Sequence, residues 1–281
     1  MPDETAETKD GEATELRRKR SAAGRIVVSG LRRVSSIAGI AAPAVRGCRW
    51  VVAAVVVGGL PFVLSVFTGF GGHQLVSAIG LSLLCLALAK DDAGAKGIAT
   101  IALTFLTHCI VVIALARQMP DTVGPLLPGA EEYWQKQVVW IETGQDPEYE
   151  PSAWVPAHFV ILMGTALYSF TSFGALAFYS GFQQVDMMNF YNARLMAQSI
   201  SEPMALGFGW HLWSILRGLG YLFVTFEVIS LSLQYCSGRE LSPRKTRCTR
   251  WSIGLMLLLA DGVVKFSMLE AVRLQLFSNL S

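Results

Sequence analysis

The sequence has few charged residues and no long hydrophilic stretch. Only 16% of its 281 residues are charged, whereas 52% are apolar. The apolar runs follow one another so closely that no more than roughly 40 residues separate any two, which leaves little room for a soluble domain of ordinary size. This composition excludes an ordinary water-soluble globule. It predicts an all-α fold: a polytopic transmembrane helix bundle of about six spans with a disordered N-terminal tail.

The short motifs of several enzyme classes are also missing. The sequence contains no phosphate-binding loop, no His-Glu-x-x-His, no Gly-x-Ser-x-Gly and no paired Cys-x-x-Cys. These absences exclude the usual nucleotide, zinc and serine-hydrolase motifs. We therefore expect no enzymatic activity, no cofactor and no metal site. Nucleic acid is not an expected partner either, because a membrane surface is the nearer anion for the basic N-terminal region.

The N-terminal 49 residues divide into two segments. Residues 1–24 contain no large apolar side chain except Met1 and Leu16, so we expect a disordered cytoplasmic tail that buries no core. In 25–49, apolar residues recur at helical spacing among arginines, which indicates a basic amphipathic juxtamembrane segment. This segment either lies on anionic lipid headgroups or only fixes the orientation of the first span.

The remaining chain, 50–281, is predicted to be the transmembrane helical domain. A helix needs about 20 mostly apolar residues to cross the hydrocarbon core of a membrane. Six runs meet this requirement or come close to it: 50–70, 74–89, 97–116, 156–180, 208–233 and 251–271. Pro61 lies within the first run, where a neighbouring helix or a local adjustment can satisfy the backbone groups that proline leaves unpaired.

The distribution of lysine and arginine predicts the orientation and also raises a conflict. Ten basic residues precede the first span, which places the N-terminus in the cytoplasm and the acidic connection 117–155 on the opposite side. Counting six spans then puts a second basic loop on the outer side, although it contains Arg239, Arg244, Lys245, Arg247 and Arg250. The positive charge therefore favours the cytoplasmic side for both basic segments, whereas the count of six spans places them on opposite sides.

Two resolutions of this conflict remain open. If the loop is external, Cys236 and Cys248 lie in an oxidising space and are candidates for a disulfide. If the count is short by one, the loop is cytoplasmic and both cysteines stay reduced. The missing passage is then either a re-entrant hairpin turning near Gly218–Gly220 or an entry of 182–203 into the membrane.

Aromatic residues mark two further regions. Trp134, Val138 and Ile141 share one face of a predicted helix in the acidic connection, which indicates either a lid on the bundle or an ordinary interfacial aromatic belt. Pro203 predicts a helix break near Glu202. Beyond this break, the fifth span begins with three residues that form a candidate binding vestibule: Trp210, His211 and Trp213.

Four ionisable residues lie inside the last two spans: Arg217, Glu227, Asp261 and Lys265. Each costs about 2.5 to 3.5 kcal/mol in hydrocarbon on insertion scales, so partners, water or a ligand must compensate. Because consecutive spans run antiparallel, the rise per residue places Arg217 about 14 Å and Asp261 about 15 Å from opposite faces. The sequence therefore predicts an Arg217–Asp261 pair near the midplane, with Lys265 one turn away and Glu227 nearer water.

Two functions of different class follow from this charge cluster. In the first, the protein is a structural or assembly subunit whose charges fix helix packing. It then has the lipid bilayer as its environment and a membrane protein or a second copy of itself as its partner. In the second, the protein is a small-solute, ion or proton permease that uses the intramembrane charges directly.

Two cofactor hypotheses are more remote. Asp261-Gly-Val-Val-Lys265 resembles the Asp-x-x-x-Lys arrangement of the microbial rhodopsins. That resemblance implies a lysine carrying retinal and an acidic counter-ion. Separately, His73 or His108 could pair with His158 at similar depth to ligate haem.

Overall fold

The computed structural model describes residues 41–91, 93–145, 150–198, 202–237 and 243–280. Within these residues the chain forms ten α-helices, two short 3-10 turns and no strand. The predicted tail 1–24 lies outside the described residues, as does most of 25–49. The helices are α1 (Arg49–Thr68), α2 (His73–Lys90), α3 (Gly94–Gln118), α4 (Pro120–Val123), α5 (Ala130–Thr143), α6 (Pro151–Ser172), α7 (Ala175–Ala197), α8 (Glu202–Gly209), α9 (Leu212–Ser237) and α10 (Arg244–Leu280).

Six of these helices are long and apolar enough to cross a membrane: α1, α2, α3, α6, α9 and α10. The all-helical bundle and the number of apolar spans are therefore confirmed. Large apolar side chains are exposed on these helices, which suits contact with lipid instead of water. The chain is a multi-pass membrane protein by the length and composition of its helices.

The fourth predicted span, 156–180, is confirmed as a helix, but its predicted end is wrong because it runs through a turn. Helix α6 ends at Ser172, and Phe173 and Gly174 both have positive φ, 53° and 90°. A Cβ on Gly174 would lie 2.5 Å from Cδ1 of Ile229, so glycine is needed here for both conformation and space. Apolar residues continue across this turn, and a hydropathy pattern therefore does not show it.

Helix α7 is the central helix of the bundle. It packs against α2, α3, α5, α6 and α8. Its polar side chains Asp186, Asn189 and Asn192 are at most 2% exposed, so they face protein on an otherwise aromatic helix. The segment 182–203, one of the two predicted candidates for an additional passage, is thus largely helical up to Ala197, where α7 ends, and whether it crosses the membrane stays a prediction.

The bundle has two distinguishable ends. At one end, which we call the basic end, Val45 packs with Leu84 and Leu88, and Gly94 contacts the guanidinium group of Arg250. The lysines and arginines of the described chain near this end are Arg46, Arg49, Lys90, Lys96, Arg244, Lys245, Arg247 and Arg250. The N-terminal side of α1 and the start of α10 therefore lie at the same end.

The opposite end, which we call the capped end, is covered by α5. Trp134, Trp140 and Ile141 of this helix are buried in the same core cluster as residues of α7 and α10. The Arg194 guanidinium donates to the Glu131 carboxylate at 2.6 Å, and Arg273 donates to the carbonyl of Ile141 at 3.2 Å. The amphipathic helix is thus a cap on the bundle, and the aromatic-belt interpretation is wrong for Trp134 and Trp140.

Helices α9 and α10 form the closest pair in the bundle. Helix α9 is continuous over its length, so the predicted alternative of a hairpin turning near Gly218–Gly220 is wrong. A Cβ on Gly220 would lie 3.0 Å from the carbonyl oxygen of Gly254, and a Cβ on Gly254 would lie 3.2 Å from that of Gly220. These facing glycines let the two backbones approach closely.

Candidate functional site

The predicted pair between Arg217 of α9 and Asp261 of α10 is present. The Arg217 Nε donates to Oδ2 of Asp261 at 2.8 Å, and Nη2 donates to Oδ1 at 3.1 Å. The Asp261 side chain is 1% exposed and that of Arg217 is 25% exposed. This two-point contact fixes the guanidinium plane against the carboxylate and satisfies both carboxylate oxygens inside the bundle.

Trp154 of α6 lies beside the cations of this group. The Arg217 Cζ is 5.9 Å from the Trp154 ring centroid, and the Lys265 Nζ is 5.8 Å from it. On the same helix, the ring of His158 stacks on Trp154 with centroids 4.1 Å apart. An indole face near two cations offsets part of their desolvation. Lys265, 2% exposed, is therefore buried in the same group as Asp261.

Glu227 is not near water, which corrects its predicted environment. Its side chain is 0% exposed, and Oε1 lies 2.6 Å from Nε of Arg250 in an ion pair. The Arg250 guanidinium also lies over the Phe226 ring, 5.9 Å from the centroid. The predicted sixth span, 251–271, began too late in the sequence. Because α10 begins at Arg244, Arg250 is helical and reaches Glu227.

The predicted vestibule is a packed aromatic cluster at the capped end. His211 and Trp213 are each 3% exposed and stack with centroids 4.4 Å apart. Trp140 of the cap meets His211 edge-on at 5.8 Å, and Tyr191 is also buried against it. Burial first, with nearby cationic charges second, lowers the pKa of His211 to about 3. Trp210 is only partly buried beside this cluster, so these residues act as core packing and not as an open entrance.

The structure does not join the two cysteines that the sequence made candidates for a disulfide. Cys236 is buried in the core cluster of α2, α3, α7 and α9, whereas Cys248 is exposed on α10. Both are free thiols.

A buried cluster of two histidines and one aspartate was missed by the sequence analysis. Nε2 of His73, the first residue of α2, lies 3.0 Å from Oδ2 of Asp186. Nε2 of His108 on α3 lies 2.6 Å from Oδ1 of the same carboxylate. The two histidines are 0% exposed and Asp186 is 2% exposed. One donor atom from each residue falls within 4.8 Å of the others.

Neighbouring groups hold this cluster in place. The Gln74 amide donates to Oδ2 of Asp186 at 2.7 Å, and Nδ1 of His108 lies 3.1 Å from the carbonyl oxygen of Gly58. Phe62 meets both histidine rings edge-on, at 4.8 Å from His73 and 5.8 Å from His108. An aromatic wall and a set of directed hydrogen bonds therefore fix the donor atoms on three different helices.

The haem hypothesis included the two histidines of this cluster, but it paired either of them with a histidine that lies elsewhere. His73 and His108 do come together, with ring centroids 6.0 Å apart. His158 instead stacks on Trp154 in the charged group between α6, α9 and α10. Asp186 lies on a helix that is not among the predicted spans, and the apolar runs alone therefore do not indicate it as a partner of these histidines.

Comparisons of this chain with protein-family models, with curated proteins and with solved structures gave no match, so its function is inferred from the geometry of its own residues.

Proposed function

We propose that this chain is a non-enzymatic multi-pass membrane protein, with a cytoplasmic N-terminus, that acts as a structural or assembly subunit. The observation that carries the proposal is that each acid of the predicted charge cluster faces an arginine. Asp261 binds Arg217, and Glu227 lies against Arg250. Charges held this way are fixed parts of a helix interface.

Both ion pairs join the same two helices. Arg217 and Glu227 belong to α9, and Asp261 and Arg250 belong to α10, so the pairs bracket the facing glycines Gly220 and Gly254. A helix that slid or rotated would leave a charge unpaired inside the bundle, which is strongly destabilising. The two pairs and the glycine contact therefore support a role for these charges in setting the register of α9 against α10.

The permease alternative receives less support from these contacts. It required Asp261 or Glu227 to bind and release a cation during transport. In the described residues, the carboxylate of Asp261 is occupied at both oxygens, and that of Glu227 is buried beside an arginine. Transport through these groups would require both pairs to open, whereas a packing role uses them as they stand.

The two ends of the bundle support the cytoplasmic N-terminus. Helices α6 and α7 form a hairpin that leaves the capped end and returns to it, where Arg194 meets Glu131 of the cap. The basic start of α10 consequently lies at the same end as the start of α1, as the contact between Gly94 and Arg250 also indicates. Both basic segments then face the same side, in agreement with the positive-inside rule.

An assembly role also needs an outward surface. Only 6% of the apolar window of α6 is buried within the chain, and its main neighbours are α7 and α9, with Trp154 also touching α10. We propose that α6 faces either lipid or a partner helix, which would be that of another membrane protein or of a second copy of the chain. A glycine such as Gly164, which has nothing within 4 Å of a Cβ built on it, would let a partner helix approach closely.

A double-mutant cycle on Arg217 and Asp261 tests the packing role. Asp261→Asn leaves a buried arginine unpaired, so we expect a loss of about 3 kcal/mol in the free energy of unfolding and a lower protein level. Arg217→Gln combined with Asp261→Asn should recover a large part of that loss. Glu270→Gln is the matched control, because Glu270 also binds an arginine on α10 but is 66% exposed.

The measurements are thermal unfolding of the purified protein in detergent and its amount in the membrane. We expect the control to change stability by less than about 1 kcal/mol. A variant Asp261→Asn that folds with unchanged stability, yet abolishes a flux of protons or solute in vesicles, would contradict the proposal and support the permease.

A further inference from the structure

We propose that His73, His108 and Asp186 form a binding site for one divalent first-row transition-metal ion in the core of the bundle. Two imidazoles and one carboxylate are the ligands that zinc and non-haem iron take in proteins. The three residues come from α2, α3 and α7, so a bound ion would join the helices on either side of the central helix.

The distances between the donor atoms suit an ion after a small adjustment. Metal bonds to histidine nitrogen and carboxylate oxygen are about 2.0 to 2.2 Å long, so ligand atoms around one ion are separated by about 3.3 Å. Here the nitrogen–oxygen distances are 2.6 and 3.0 Å, and all three donors lie within 4.8 Å of one another. The two nitrogen–oxygen distances would have to lengthen by about 0.3 and 0.7 Å and the two histidine nitrogens would have to approach each other, which side-chain rotations would have to supply.

The hydrogen bonds of His108 favour a cation between this ring and Asp186. A backbone carbonyl only accepts hydrogen bonds, so Nδ1 of His108, 3.1 Å from the Gly58 oxygen, carries the proton. In a neutral ring, Nε2 then presents its lone pair to a carboxylate oxygen 2.6 Å away. Two lone pairs at this distance need a proton or a metal ion between them. The fixed tautomer is the one that a ligand bound through Nε2 requires.

A hydrogen bond from a neighbouring amide orients Asp186, and one ring nitrogen of His73 makes no hydrogen bond. Gln74 donates its amide to the same carboxylate oxygen that faces His73. Nδ1 of His73 has no hydrogen-bond partner although the residue is 0% exposed. The buried surroundings are aromatic, with Phe62 and Phe182 meeting the rings edge-on. The orienting hydrogen bond on the carboxylate and the dry aromatic wall are features that support a metal ligand.

Metal content of the full-length protein tests this proposal. The protein is purified in detergent through a tag that contains no histidine, and its zinc, iron, manganese and copper are measured by mass spectrometry. We expect a single ion per chain in the wild type and almost none in Asp186→Asn or His108→Gln. His158→Gln is the matched control, because it removes a membrane histidine outside the cluster, and its metal content should equal that of the wild type.

A second measurement keeps the test informative if the ligand variants fold poorly. After removal of bound metal with a chelator, Zn²⁺ should raise the Tm of the wild type and Co²⁺ should give a visible absorption spectrum of a bound ion. Gln74→Leu keeps the three ligands but removes an orienting bond, so affinity should fall about 10- to 100-fold. If the wild type holds no stoichiometric metal and neither Zn²⁺ nor Co²⁺ changes its Tm or spectrum, the cluster is only a hydrogen-bonded His-Asp-His group and the proposal is overturned.

Discussion

At the scale of single residues, Gly58 makes two different contacts, one through its α-carbon and one through its carbonyl oxygen. Its α-carbon lies against Thr104 of α3, with the carbonyl carbon of Thr104 3.1 Å from the place a Cβ would take. Its carbonyl oxygen accepts from His108. The same close approach that joins α1 to α3 therefore also fixes the orientation of a histidine in the buried cluster.

We expect Gly58→Ala to destabilise the protein by about 1 to 3 kcal/mol, because the added methyl group meets backbone that cannot rotate away. Thermal unfolding in detergent measures the effect. Gly164→Ala on α6 is the control. Nothing lies within 4 Å of its Cβ position, so alanine should be neutral there or stabilising by about 0.5 to 1 kcal/mol through its better helix propensity. Equal effects at the two glycines would contradict the close α1–α3 contact.

At the scale of elements, α1 shows how a proline is accommodated inside a span. Pro61 has no N–H, so the carbonyl oxygen of Val57, four residues earlier, loses its helical partner. Ser77 of α2 donates its hydroxyl to that oxygen at 2.9 Å. The sequence left open whether a neighbouring helix or a local adjustment would satisfy this group, and the hydroxyl of Ser77 on the neighbouring helix does so.

Ser77→Ala should therefore cost about 1 to 2 kcal/mol, since it leaves a buried carbonyl without a partner. The cost should largely disappear in a Pro61→Ala background, where the new N–H can bind Val57 within the helix. Unfolding of the two single variants and the double variant in the same detergent measures this coupling. Additive effects would show that Ser77 does not compensate for the proline.

The cap helix α5 gives a pH-dependent prediction. The Arg194 guanidinium, through its hydrogen bond, holds the pKa of Glu131 below its ordinary value of 4.5. A lowered pKa means that this contact stabilises the docked cap at pH values above 4.5 and is lost as the pH falls below it. The pair is exposed, so its contribution is about a few tenths of a kcal/mol.

Hydrogen exchange of Ala130–Thr143 measures the docking of this cap. At neutral pH, Glu131→Gln should exchange faster than the wild type, and at a pH well below the lowered pKa of Glu131 the two proteins should exchange alike because the wild-type carboxyl is then protonated. Glu132→Gln, on an exposed position of the same helix, should follow the wild type at both values. A difference that persisted at low pH would assign the effect to something other than the Arg194 contact.

Helix α7 shows why part of the structure was hidden from the sequence. The apolar spans were predictable because lipid-facing residues raise the average hydropathy of a window. In α7, Asp186, Asn189 and Asn192 lower that average, and a window does not distinguish polar groups that face protein from those that face water. Predicting the Arg217–Asp261 pair required only the depths of two residues on adjacent helices. Predicting the His73–His108–Asp186 cluster also required the knowledge that α7 packs between α2 and α3.

At the scale of the whole molecule, the placement of α7 determines the direction in which the following helices, α9 and α10, run between the two ends of the bundle. Helices α6 and α7 leave and return to the capped end, so α9 runs from the capped end to the basic end and α10 runs back. Basic residues then collect at one end, while the cap carries Glu131, Glu132 and Glu142 at the other. Such a charge asymmetry orients helical membrane proteins, and under the proposed function the basic end faces the cytoplasm.

Cysteine labelling tests this orientation with thiols that the chain already has. Cys48 and Cys248 are exposed and lie at the basic end, whereas Cys85, Cys109 and Cys236 are buried. In intact cells, a membrane-impermeant maleimide should label neither exposed cysteine, and after permeabilisation it should label both. In a Cys48→Ser, Cys248→Ser background, Thr122→Cys at the exposed surface of the capped end should be labelled in intact cells. Labelling of Cys248 but not Cys48 in intact cells would place them on opposite sides of the membrane. It would thereby exclude the α6–α7 hairpin as the passage that returns the chain to the capped end.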